Sequence, residues 1–102
     1  MTHVLEDHRE ELGALCRRYR VQRLDVFGSA TAADFDEESS DVDLLVEFEE
    51  MPHADRADAY LGLLTALEAL LERRIDLVEM GAVRNPYLRR GIEESRELVF
   101  AA

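Results

Sequence analysis

The run Asp41-Val42-Asp43-Leu44-Leu45-Val46-Glu47-Phe48 constrains this chain more than any other segment. It is rich in β-branched and aromatic residues and is bounded by Ser39-Ser40 and Met51-Pro52, so it reads as a strand central to a sheet. Alternate side chains of a strand share a face. Asp41 and Asp43 therefore project the same way with Cα atoms about 6.6 Å apart, while Val42 and Leu44 face a core. Two carboxylates aimed at one point repel each other unless a cation stands between them, and hard oxygen ligands suit Mg²⁺.

The charge distribution singles out the same region. The chain has 102 residues, 23 acidic and 12 basic, for a formal net charge of −11, and every basic residue is an arginine. Residues 25–58 hold 12 acids and one arginine, so the whole excess falls in one third of the sequence. Four of those acids, Asp34, Asp36, Glu37 and Glu38, read as a solvated loop over residues 34–40. A chain this acidic lacks the basic stripe that phosphate neutralisation requires, which disfavours a free-standing nucleic-acid binder and makes an anionic membrane an equally poor partner.

A second unusual pattern precedes the acidic stretch. Arg23-Leu24-Asp25-Val26-Phe27 reads as a strand ending at Gly28-Ser29, with residues 30–33 able to form a short helix. Glycine at such a turn lets backbone approach a ligand closely. The N–H groups that open the next helix make a phosphate-sized cradle to which Ser29 adds a hydroxyl. Further on, Arg74-Ile75-Asp76-Leu77-Val78-Glu79 is a third strand. If it neighbours the central one, alternation brings Asp76 to the face of Asp41 and Asp43.

The remaining segments are helical or short. A first helix begins near Thr2 and ends near Arg20, with Leu5, Leu12, Leu15, Cys16 and Tyr19 on one face. A long helix over residues 55–73 turns Ala57, Tyr60, Leu61, Leu64, Leu67 and Leu71 inward, with Leu63 and Leu70 widening the stripe. Asn85-Pro86 supplies an N-cap and first-position proline for a last helix through about Glu94. Leu98-Val99-Phe100 adds a short edge strand. The expected fold is α+β: a small mixed sheet of three or four strands with about four helices packed on one side of it, as a single domain over residues 1–102.

Phe27-Gly28-Ser29 followed by Ser40-Asp41-Val42-Asp43-Leu44-Leu45-Val46 resembles the Gly-Ser…Asp-x-Asp signature of the nucleotidyltransferase superfamily. The length, and the segment Arg84-Asn85-Pro86-Tyr87-Leu88-Arg89-Arg90, resemble its minimal nucleotidyltransferase (MNT) branch, so the likeness covers residues from about 22 to 100. Two departures stand out: eleven residues rather than the usual ten separate Ser29 from Asp41, and Ala33 stands where a glycine is common. The resemblance implies transfer of AMP from Mg-ATP, with two Mg²⁺ ions held by Asp41, Asp43 and Asp76 and with Gly28 and Ser29 on the β- and γ-phosphates. It also implies a HEPN-domain RNase toxin as partner, neutralised by AMP placed on a tyrosine hydroxyl, and a complex that is homo- or hetero-oligomeric. The alternative it leaves open is an inactive MNT-fold antitoxin that masks the toxin by contact alone.

Other chemistry fits poorly. The chain contains no lysine and hence no Gly-x-x-x-x-Gly-Lys loop, and no Gly-x-Ser-x-Gly surrounds Ser29. His3, His8 and His53 lack metal-ligand spacing, and Arg84, Arg89 and Arg90 read as a solvated helix face. The single Cys16 excludes an internal disulfide, and the first eight residues show no secretory signal pattern, so cytoplasm is the expected compartment.

Overall fold

A computed structural model of the chain describes residues 3–28 and 41–102. In order, these form α1 (His3–Glu6), α2 (Arg9–Arg18), β1 (Val21–Phe27), β2 (Val42–Phe48), α3 (His53–Leu71), β3 (Ile75–Glu79), a 3-10 turn (Met80–Ala82), α4 (Pro86–Ser95) and β4 (Glu97–Ala101). The strands make one mixed sheet in the order β3-β2-β1-β4. β1 runs antiparallel to both β2 and β4, and β2 runs parallel to β3. The expected α+β class and the central place of β2 hold, with four strands and four helices among the described residues.

The first helix is broken where the sequence pattern is continuous. Asp7 and His8 form a turn between α1 and α2, and the His8 ring contacts the Glu11 carboxylate at 2.9 Å, holding the start of α2. The apolar stripe survives the break: Leu5, Leu12 and Cys16 are fully buried against Leu24, Val26, Val42, Leu44 and Val46 on one face of the sheet. Burial pushes the Cys16 thiol up to about 12, so this side chain is a packing residue and not a nucleophile. Thr2, the expected cap, lies outside the described residues.

α3 packs on the same face, rotated from the expected orientation. Leu63, Leu67 and Leu71 form its buried ridge, whereas Leu61 is 61% exposed and Ala57 is exposed. At 100° per residue Leu61 stands about 160° around the helix from Leu63, so the two cannot both face the sheet. Gly62 fixes the choice. A Cβ there would stand 2.5 Å from Cε1 of Tyr19, so the ring of Tyr19, the C-cap of α2, lies directly on the α3 backbone.

The helices do not all lie on one side. Leu45 alternates with Leu44 and is equally buried, so the second face of the sheet also needs cover. Phe27, Leu45, Met80, Val83 and Ile92 form that second cluster, with Ile92 contributed by α4. Asn85 caps α4, its side-chain oxygen accepting from the N–H groups of Tyr87 at 2.9 Å and Leu88 at 3.3 Å, with Pro86 in the first turn as expected.

Candidate functional site

The ladder between β1 and β2 places Phe27 opposite Asp43. The next residue, Gly28, has φ +70°, the left-handed region that glycine enters without steric cost. A Cβ at Gly28 would stand 2.7 Å from Oδ2 of Asp43. Any side chain there would be strained by its backbone and would also strike the carboxylate. Gly28 thus keeps open the space beside Asp43.

The parallel ladder between β2 and β3 pairs Asp43 with Asp76. The two carboxyl groups therefore sit side by side on the face that carries Leu45 and Val78, at the end of the sheet where β1 finishes and β2 and β3 begin. Burial first, then the negative charges of Asp76 and Asp41, then a hydrogen bond to Asp76, raise the Asp43 carboxyl above the ordinary range. The bond is one that a protonated Asp43 donates to Asp76. Asp41 stands one residue before β2 and is exposed. Asp43 and Asp76 are thus directly paired, while Asp41 acts on Asp43 through charge. Among the described residues no three His, Cys, Asp or Glu side chains close on a common point that would hold a metal ion. The donor chemistry nonetheless fits a hard divalent cation: every donor is a carboxylate oxygen, and the mutual repulsion is what a cation would relieve. Ser29 and residues 30–33, where a short helix is expected, lie outside the described residues.

Three further residues escaped sequence reasoning. Tyr60 of α3 donates its hydroxyl to the Leu77 carbonyl, and burial followed by the charges of Asp76 and Glu79 raises its phenol. Its apolar spacing signalled only core. Asp25, which the sequence places in the acidic third, is fully buried on β1 and accepts from Nε of Arg23 at 3.0 Å and from Nε of Arg96. Ser95, at the end of α4, accepts the Gly28 N–H at 3.1 Å across 67 residues of sequence. No local pattern could have joined those two positions.

Elsewhere a groove of about 530 Å³ crosses the outer edge of β3 toward its C-terminal half, lined by His53, Arg56, Tyr60, Leu61, Val78 and Glu79 among others. Arg89 and Arg90 form i,i+4 ion pairs with Glu93 and Glu94 at 3.9 and 3.8 Å on the exposed face of α4, the solvated arrangement expected of them. No described helix is long and apolar enough to cross a membrane.

A mixed sheet carrying paired aspartates beside a strand-ending glycine defines a class, and the family comparison agrees: the nucleotidyltransferase domain matches residues 8–99, and the chain belongs to that family. Within it the similarity runs toward enzymes that modify proteins. The protein adenylyltransferase MntA of Thermococcus cleftensis is 38% identical over 82 residues, covering 80% of this chain and 76% of that protein. A solved structure assigned as a minimal nucleotidyltransferase superposes with a TM-score of 0.69 at 37% identity, covering 91% of this chain and 90% of the other. A chain from the Shewanella oneidensis complex of a tri-AMPylated HEPN toxin with an MNT antitoxin superposes with a TM-score of 0.63 at 17% identity, covering 96% of this chain and 73% of that one. At that identity the likeness is one of fold.

Proposed function

We propose that this chain transfers AMP from ATP to a hydroxyl group, a tyrosine by preference, on a HEPN-type toxin and so acts as its antitoxin. The observation that carries the reading is the pairing of Asp43 with Asp76 beneath the Gly28 turn. The 38%-identical protein adenylyltransferase supports the reaction class, and the fold shared with a chain of the antitoxin complex supports the choice of partner.

In this reading Asp41, Asp43 and Asp76 hold Mg²⁺, which supplies charge stabilisation to the entering and leaving oxygens of an in-line displacement when bound. Gly28 and Ser29 receive the β- and γ-phosphates. Asp76 accepts the proton of the acceptor hydroxyl as its oxygen forms the new bond to the α-phosphorus. The bond from that phosphorus to the bridging oxygen breaks, and pyrophosphate leaves. Asp43 lies between Asp76 and the glycine turn, so it orders both halves of the site. An acidic surface also suits a partner that needs basic groups to bind RNA.

The test uses ATP labelled at the α-phosphate, Mg²⁺ and a HEPN-domain toxin as the candidate partner. The wild-type chain is expected to label the partner, and Asp43→Asn to lower the rate about a hundredfold or more. If both neutralise the toxin equally and no label is transferred, binding alone is the function and the enzymatic reading fails.

A further inference from the structure

We propose that Ser95 is a positioning residue for the nucleotide-binding turn, holding Gly28 in the conformation that keeps the space beside Asp43 open. The inference rests on the adenylyltransferase reading and deepens it. Gly28 is left-handed at φ +70°, and its N–H points at Oγ of Ser95, 3.1 Å away. The Ser95 hydroxyl in turn donates to the Gly91 carbonyl at 3.0 Å, which orients the oxygen lone pairs toward Gly28. With its N–H engaged by Ser95, Gly28 serves the phosphates through close backbone approach, not as an amide donor.

Ser95 can set the turn because its own position is fixed from three sides. Ile92, one helical turn earlier, is buried against Phe27 and Leu45. Arg96, the next residue, donates its side-chain Nε to the fully buried Asp25 of β1, and its backbone N–H to the Ile92 carbonyl at 2.9 Å. Glu97 then enters the sheet opposite Val26. The end of α4 is thus anchored to β1 just before Gly28, and a displacement of Ser95 would be transmitted to the turn. Glycine alone does not favour the left-handed state over others. The hydrogen bond that the Gly28 N–H donates to Ser95 supplies that preference.

The test compares wild type, Ser95→Ala and Ser95→Thr. Alanine is a better helix former than serine, so the first variant is expected to fold. Exchange of the Gly28 amide, followed by ¹H–¹⁵N NMR, should be slow in wild type and Ser95→Thr and fast in Ser95→Ala. In the transfer assay Ser95→Ala should raise KM for ATP about threefold to tenfold, the worth of one neutral hydrogen bond. Its kcat should stay within about twofold of wild type, and Ser95→Thr should restore KM. Calorimetry with a non-hydrolysable ATP analogue should show the same loss in Kd, a readout that stands even if no transfer occurs. Unchanged KM and Kd in Ser95→Ala, or a loss that Ser95→Thr does not recover, overturns the role of Ser95 and leaves the enzymatic reading intact. A wild-type chain that binds the analogue with Ser95-dependent affinity but transfers nothing supports Ser95 and overturns the transferase. A wild-type chain that does not bind nucleotide overturns both.

Discussion

Asp43 is held in a conformation that disfavours its own charge. Partial burial and the neighbouring Asp76 and Asp41 raise its proton affinity above the ordinary value of 3.8. The consequence for stability has a definite sign. A carboxyl with a raised folded-state value contributes stability that is fully present below pH 3.8 and is lost as pH rises through the folded value. At neutral pH the ionised Asp43 is therefore a destabilising residue in the metal-free protein. Asp43→Asn should raise the metal-free melting temperature at pH 7, and the gain should shrink to nothing as pH falls toward 3.8. Thermal denaturation of the two proteins between pH 3.5 and pH 7 checks both the sign and the window. An equal melting temperature at pH 7 would mean that the pair is not repulsive. Gly28 belongs to the same local economy, because its missing side chain leaves that carboxylate accessible.

At the scale of elements, β2 and α3 differ in how much their sequences disclose. The strand was legible because period-2 alternation assigns each residue to a face without reference to anything distant, and the pairing of Asp43 with Asp76 then follows from a single condition, that β3 lies beside β2. The helix was less so. Leucines at positions 61, 63, 64, 67, 70 and 71 spread over about half of its circumference, wider than one ridge, and the docking of Tyr19 on Gly62 goes with Leu63, Leu67 and Leu71 as the inward ridge. The contact of Ser95 with Gly28 and the burial of Asp25 between two arginines were illegible for the same reason: each joins segments whose proximity is a product of the whole sheet. The ridge makes its own prediction. Leu67 is fully buried, so Leu67→Ala should cost about 2–5 kcal/mol in urea unfolding. Leu61→Ala, at an exposed position, should change stability by no more than about 0.5 kcal/mol. Had the helix been oriented as its sequence pattern suggests, the two variants would be alike.

For the molecule as a whole, the concentration of charge matters more than its total. The net charge of −11 is confined to residues 25–58 in sequence, and the fold gives those acids unlike fates. Asp25 is buried in an ion-pair clamp, Asp43 faces Asp76, and Glu47, Glu49 and Glu50 are exposed. A ligand that binds only the folded chain stabilises it by mass action. Mg²⁺ with ATP at a hundredfold excess over Kd should raise the melting temperature by about 10 °C or more for a chain of this size. Chelation should reverse the shift, and Asp43→Asn should abolish it. Differential scanning fluorimetry decides the matter, and a wild-type protein indifferent to the mixture would remove the case for a nucleotide site.

The parallel register of β2 and β3 carries one further consequence. Sliding β3 by a single residue would set Ile75 or Leu77 against Asp43 and turn Asp76 beneath α3, where a carboxylate has no partner. The same error would also lift two apolar side chains out of the packed layer into water. Assembly and competence are therefore inspected by one event: a chain that zips its sheet wrongly has neither a stable body nor a working centre. Substitutions that disturb this register, as distinct from those at the carboxylates or at Ser95, should accordingly reduce how many molecules fold far more than how well each survivor performs, leaving specific activity per folded molecule nearly constant as folded yield declines.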